Sequence, residues 1–137
     1  MKLALLIIFG LFFSLAVAAQ AEPKHPIDQE LDSCLETNHG TMPRAECYSK
    51  AFEAWERDVN TIYAKLKQKL PSSERGSLIK SQTSWEHYRD SEFDFIGALY
   101  KKKRGTGYTS TRIILRIEVV KARALLLESR LRTVMGE

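Results

Sequence analysis

From Tyr48 onward the apolar positions recur every three or four residues. Tyr48, Phe52, Trp55, Val59, Ile62, Leu66 and Leu70 form one stripe, the period of a helix with a single buried face. Pro71 has no amide hydrogen to continue such a helix and ends it. A second pattern starts at Ser72 or Ser73, with an apolar seam through Leu78, Trp85, Tyr88, Phe95 and Leu99. Its end is marked by the basic run Lys101–Arg104, favourable at a helix C-terminus, and by Gly105, which accepts a left-handed cap. After the turn "GTGYTS" a further helix is predicted from about Thr111, with Ile113, Ile117, Val120, Ala124, Leu127, Leu131 and Val134 alternating by four and three. Upstream, a short helix is predicted over Ile27–Asn38; Gly40 stops it, and Thr41 caps its successor with Pro43 tolerated in the first turn. No alternating strand pattern of useful length occurs. The expected class is all-α: an up-down bundle of three long helices with a short N-terminal helix.

The first residues follow a different rule. Lys2 precedes the uninterrupted apolar and small-residue run "LALLIIFGLFFSLAVAA", and Ala19 and Ala21 stand at the −3 and −1 positions before Glu22. That is the layout of a cleaved secretory signal, so residues 1–21 are assigned to a signal peptide and 22–137 to one domain. No cysteine stands at the cleavage point to take a lipid. The expectation is a periplasmic or secreted protein with no membrane span after cleavage.

Export decides how the two cysteines are read. In an oxidising compartment Cys34 and Cys47 are most simply a disulfide, and Gly40, Thr41 and Pro43 let the intervening chain turn back. In the chain-entropy picture, closing a loop of this size stabilises by about 3 kcal/mol. Zinc would need more ligands than nearby His39 supplies, and a redox pair favours C-x-x-C.

The stretch "QTSWEHYRD", residues 82–90, concentrates polar groups around two aromatics. Trp85 and Tyr88 lie on the expected seam, and Gln82 and Arg89 flank it. Arg89 is placed to stack on Trp85 and to pair with a carboxylate. His87, Asp90 and Asp94 share a face pointing away from the seam, which reads as a solvated polar face rather than a metal site. H-E-x-x-H, a nucleophile elbow and a phosphate-binding loop are all missing, and His25, His39 and His87 are scattered. No catalytic residue, metal or cofactor is assigned. Nucleic acid is disfavoured as a partner by export.

Taken together, the Cys34-to-Cys47 spacing, "AWERDVNTIY" (residues 54–63) and "SQTSWEHYRD" (residues 81–90) resemble the LprI-like lysozyme-inhibitor family of small, exported, helical bacterial envelope proteins. Cys34, Cys47, Trp55, Asn60, Tyr63, Gln82, Trp85, Tyr88, Arg89 and Asp90 match its pattern position by position. Thr109–Ser110 resembles its Gly-Ser-rich turn, and Arg123 its late arginine. Two departures stand out. The second cysteine pair of many members is missing here, its places falling at Ser91–Glu92–Phe93 and near Leu115, and Glu56 stands where Asp is common. Glu92 then occupies a seam-like place, where Arg112 or Arg116 is the expected partner, because a buried unpaired carboxylate is costly.

The resemblance implies a binding protein rather than an enzyme, with a lysozyme or another envelope protein as partner. Charge gives a separate reading. Residues 22–60 hold nine acids against four bases, and residues 61–137 hold sixteen bases against eight acids. The acidic half suits a basic partner. The basic half suits an acidic cleft, or an anionic surface such as peptidoglycan or lipid headgroups, and a plain dipolar domain accounts for both. If a glycosidase cleft with its two carboxylates is the target, the candidate contact is the turn "KKKRGTGYTS", through Lys103, Arg104 and Tyr108. A helix cap followed by a turn explains the same residues.

Overall fold

The computed structural model describes residues 23–103, 105 and 107–136. The signal-peptide assignment (1–21) and Arg104 lie outside the described residues. Within them the chain forms four α-helices and no strand: α1 (Pro26–Thr37), α2 (Thr41–Lys69), α3 (Ser72–Tyr100) and α4 (Gly107–Met135).

Several boundaries differ from expectation, each for a local reason. The α1 N-terminus is capped by a side chain outside the usual Ser/Thr/Asp/Asn set: His25 Nδ1 accepts from the Ile27 amide at 3.3 Å, with Pro26 at the first helical position. Thr41 does not cap α2. Gly40 is the cap residue and provides no side-chain bond, so Thr41 is already helical. At the other end of α2, the Leu70 amide still bonds to Leu66 O before Pro71 interrupts the ladder. α4 starts at Gly107, four residues before the expected Thr111, so most of "GTGYTS" is helix; the Thr111 hydroxyl bonds back to Gly107 O at 3.2 Å. Gly105 has φ 116°, a left-handed value, but it lies in the connection rather than at the end of α3, where Lys101 is the cap residue.

α2 and α4 make the most extensive helix pair and build the core. The α2 stripe from Ala51 through Trp55, Val59 and Ile62 to Leu66 meets Ile117, Val120, Ala124 and Leu127 of α4, with Trp55 at 0% exposure. α1 lies on α2, with Ile27 and Leu31 against this core. Further contacts fix it there, among them the following. Cys34 and Cys47 are disulfide-bonded with their Cα atoms 5.8 Å apart. Asp28 accepts from Lys121 Nζ at 2.5 Å, reaching across to α4. The His25 ring packs 4.3 Å from the Trp55 ring.

α3 packs on α4 and departs most from the sequence reading. Leu78 and Trp85 do face inward, but Tyr88, Phe95 and Leu99 are 54%, 57% and 51% exposed. The inward positions are instead Leu78, Gln82, Trp85, Phe93 and Ile96. The helix is rotated so that a glutamine enters the interior. The reason is a partner on α4.

Candidate functional site

That partner is Arg123. Its side chain enters the space between α4 and α3 and is only 7% exposed, and Gln82 opposite it is 4% exposed. Gln82 Oε1 accepts from Arg123 Nη2 at 2.9 Å and from Nε at 3.2 Å, and Ser81 Oγ stands 3.4 Å from Nη2. The glutamine amide then donates to Glu86 Oε1 at 3.2 Å, one turn along α3. A buried cation is thus bound to a neutral acceptor, which passes the polarity on to a carboxylate nearer the surface. Burial lowers the Arg123 pKa from its ordinary value, and the field of Glu86 opposes that shift. A guanidinium nonetheless keeps its charge at any ordinary pH.

Trp85 lies against this relay. The Arg123 guanidinium sits 5.6 Å from its ring centroid and that of Arg89 sits 5.3 Å away, so one indole receives two cations. Arg89 is oriented by its neighbour, bonding to Asp90 Oδ1 through Nε at 2.9 Å and Nη2 at 2.7 Å. Beside them Glu56, Val59 and Asn60 of α2 complete a hollow of about 110 Å³ with Trp85 and Arg89. Trp55, by contrast, is core. Tyr63 packs against the core under Lys67, whose ammonium is 5.5 Å from its ring.

Tyr88 belongs to a different feature. Between α3 and α4 runs an open apolar groove of about 530 Å³, walled by Tyr88, Phe95 and Leu99 on one side and Leu115, Val119 and Leu126 on the other. Ile96, Trp85 and Arg123 reach it from below, and Glu92 and Glu118 also line it. Glu92 is half-buried and pairs with neither Arg112 nor Arg116. Arg116 lies instead over the Phe93 ring, 4.9 Å from its centroid, with its Nε finding no hydrogen-bond partner.

The basic turn is separate from both features. Lys101, Lys102 and Lys103 are exposed, and Tyr108, 39% exposed, stands in the first turn of α4 with its ring 5.9 Å from that of Tyr100. His87, Asp90 and Asp94 are exposed, and among the described residues no three His, Cys, Asp or Glu side chains gather as a metal site.

The structure therefore brings Asn60, Gln82, Trp85, Arg89 and Arg123 together from three helices, with Asp90 as the clamp on Arg89. It leaves Trp55 and Tyr63 in or against the core, Tyr88 in the groove, and Lys103 and Tyr108 at one end of the molecule. Glu86 and the groove were missed from the sequence. The Gln82–Glu86 spacing of four was a usable signal for the first. The second had none, since an apolar residue reads as core by default.

The family model for the lysozyme inhibitor LprI matches residues 34–127, from the first cysteine to just beyond the buried arginine. The chain belongs to the LprI lysozyme inhibitor family. It is a family of inhibitors, not of enzymes. A solved structure, that of an uncharacterized protein from Burkholderia thailandensis, superposes on this LprI-family chain with a TM-score of 0.76 at 26% identity. The match covers 83% of this chain and 57% of that one, so this chain spans a little over half of its length. No curated protein matches the chain.

Proposed function

We propose that this protein is an exported envelope protein that acts by binding another protein, as a lysozyme inhibitor does. The observation that carries the reading is the family match over residues 34–127. On this reading residues 1–21 are removed and residues 22–137 form one domain in the periplasm or outside the cell. We read its architecture as an up-down bundle, supported by pairs such as Gln82 with Arg123 and Phe93 with Arg116, in which advance along α3 meets retreat along α4. No helix among the described residues is long and apolar enough to cross a membrane.

The contact proposed for an inhibited lysozyme is the turn between α3 and α4. Two 29-residue helices hold its ends, Gly105 takes a conformation closed to most side chains, and Lys103 and Tyr108 are exposed. With Arg104 they would bring cations and an aromatic ring to a cleft that carries two carboxylates. The test is inhibition of a panel of lysozymes by the mature protein, beside a variant with Lys103, Arg104 and Tyr108 all changed to Ala. Loss of inhibition with unchanged helicity supports the turn. Full inhibition by the triple variant removes it. A second reading, binding to peptidoglycan or anionic lipid without inhibition, is favoured by the exposed Lys101–Lys103 run; it predicts salt-sensitive binding to anionic vesicles.

A further inference from the structure

A face of the protein that begins beside the basic turn, but is built from other side chains, has the form of a docking surface. Tyr88, Phe95 and Leu99 are each more than half exposed on α3, and Leu126, 45% exposed, stands at the far end of the α4 wall, beyond Arg123. Large apolar side chains aligned and exposed along one side of a groove of about 530 Å³ are the kind of patch that marks an interaction surface. Glu92 and Glu118 line the same groove, and among the described residues neither forms an ion pair. Arg123 reaches the floor, but its guanidinium is already bound to Gln82. The side chains open to an occupant are therefore apolar and anionic.

We infer that the α3/α4 groove receives an amphipathic helix of a partner protein, with apolar side chains inserted between Tyr88, Phe95, Leu99 and Leu126 and a Lys or Arg meeting Glu92 and Glu118. Helix is the form that fits. From Trp85 to Leu99 the α3 wall runs about 20 Å at 1.5 Å per residue, which is close to four helical turns. A helix presents anchors at i, i+3, i+4 and i+7 along one such line. The charge selection is the specific part. Residues 61–137 carry sixteen bases against eight acids, so indiscriminate attraction draws an acidic ligand to this half of the molecule. Only a local anionic groove makes it choose a basic one. The inference rests on the reading that this is a protein-binding protein, but names a different surface from the turn.

The probes are three synthetic helical peptides of about 14 residues, the length of four turns. All carry Leu at the anchor positions, and they carry Lys, Glu or Gln elsewhere. They are titrated into the disulfide-intact mature protein. Trp85, half-buried at the groove, reports by fluorescence over the constant signal of buried Trp55, and NMR maps the perturbed residues. The Leu/Lys peptide is expected to saturate and to perturb Tyr88, Phe95, Leu99 and Leu126, with the Leu/Glu peptide weaker. Glu92→Gln with Glu118→Gln is expected to weaken the Leu/Lys peptide threefold to tenfold, as two partly exposed ion pairs allow, and to flatten its salt dependence. Phe95→Glu and Leu126→Glu change exposed positions, so helicity is retained while binding is lost. No binding, equal or tighter binding of the Leu/Glu peptide, or perturbations confined to the turn would each overturn the inference. So would sedimentation showing that the parent dimerises and Phe95→Glu does not, because a second copy would then fill the groove. Lysozyme assays run in parallel separate the two readings. Inhibition without peptide binding removes only the groove, and peptide binding without inhibition of any lysozyme removes only the inhibitor function.

Discussion

The Gln82–Arg123 pair permits a quantitative test, because one acceptor atom carries most of the polar satisfaction of a buried cation. Replacing Gln82 by Met keeps a similar volume and removes Oε1. Arg123 then loses bonds at 2.9 and 3.2 Å and retains only Ser81 Oγ, at 3.4–3.5 Å, a distance that gives little energy. A hydrogen bond to a charged group contributes about 1.5–3 kcal/mol, and the unpaired guanidinium adds its own desolvation penalty. The longer bond lies at the weak end, and partial rehydration recovers part of the penalty. The net expectation for Gln82→Met is a loss of about 2–3 kcal/mol. For a domain of this size that corresponds to a fall in Tm of about 8–15 °C. Arg123→Met alone leaves Gln82 Oε1 buried without a donor, a smaller loss of about 1–2 kcal/mol because the orphan is neutral. The double variant removes both ends of the bond, and apolar replacement of a buried polar pair is often close to neutral. It should therefore be more stable than Gln82→Met alone, with a coupling of at least about 1 kcal/mol across the double-mutant cycle. Urea unfolding monitored by circular dichroism measures all four proteins at constant m-value. Additive effects, or a Gln82→Met loss under about 0.5 kcal/mol, would show that Arg123 finds water or another partner at no penalty, and the account of the α3 rotation would fail.

Three further outcomes follow from the packing. Trp55→Ala should lose about 3–5 kcal/mol, because the ring is wholly buried between α2, α4 and His25, whereas Trp85→Ala should lose about 2 kcal/mol, its ring being only half-buried; equal losses in chemical denaturation would contradict this ranking. Changing Cys34 and Cys47 to Ser together should lower stability by about 3 kcal/mol, and hydrogen exchange should show α1 opening first; in the parent, intact-mass analysis should find no free thiol. Burial raises the Asp58 pKa above its ordinary 3.8, against the nearby His25, whose Nε2 is 3.9 Å away. A raised carboxyl pKa means that the folded state holds the proton more tightly, so this stabilisation is full below pH 3.8 and lost as pH rises through the folded-state value. Asp58→Asn should accordingly melt higher than the parent at pH 7, with the gap closing towards pH 4; a lower Tm at pH 7 would mean that His25 outweighs burial.

The sequence by itself determined the four helices, the disulfide and most of the inward faces of α2 and α4, although α4 starts four residues before the expected Thr111 and Val134, at the end of its stripe, is 41% exposed. Those two stripes are apolar throughout, and burying apolar surface is favourable whichever neighbour covers it, so periodicity alone identifies the inward side. It determined the family as well, through the spacing of the Cys, Trp, Asn, Gln and Arg positions. The tertiary structure decided the face of α3. Tyr88, Phe95 and Leu99 are apolar and Gln82 is polar, so a local reading puts the first three inside and leaves the glutamine at the margin. The fold does the opposite because Arg123, 41 positions away, supplies two donors to Gln82 Oε1 and makes its burial tolerable. A hydrogen bond between helices leaves no trace in the periodicity of either one. The same rotation turns Tyr88, Phe95 and Leu99 out along α4 and forms the groove, so the surface best shaped for a partner exists because a buried polar pair set the angle of one helix.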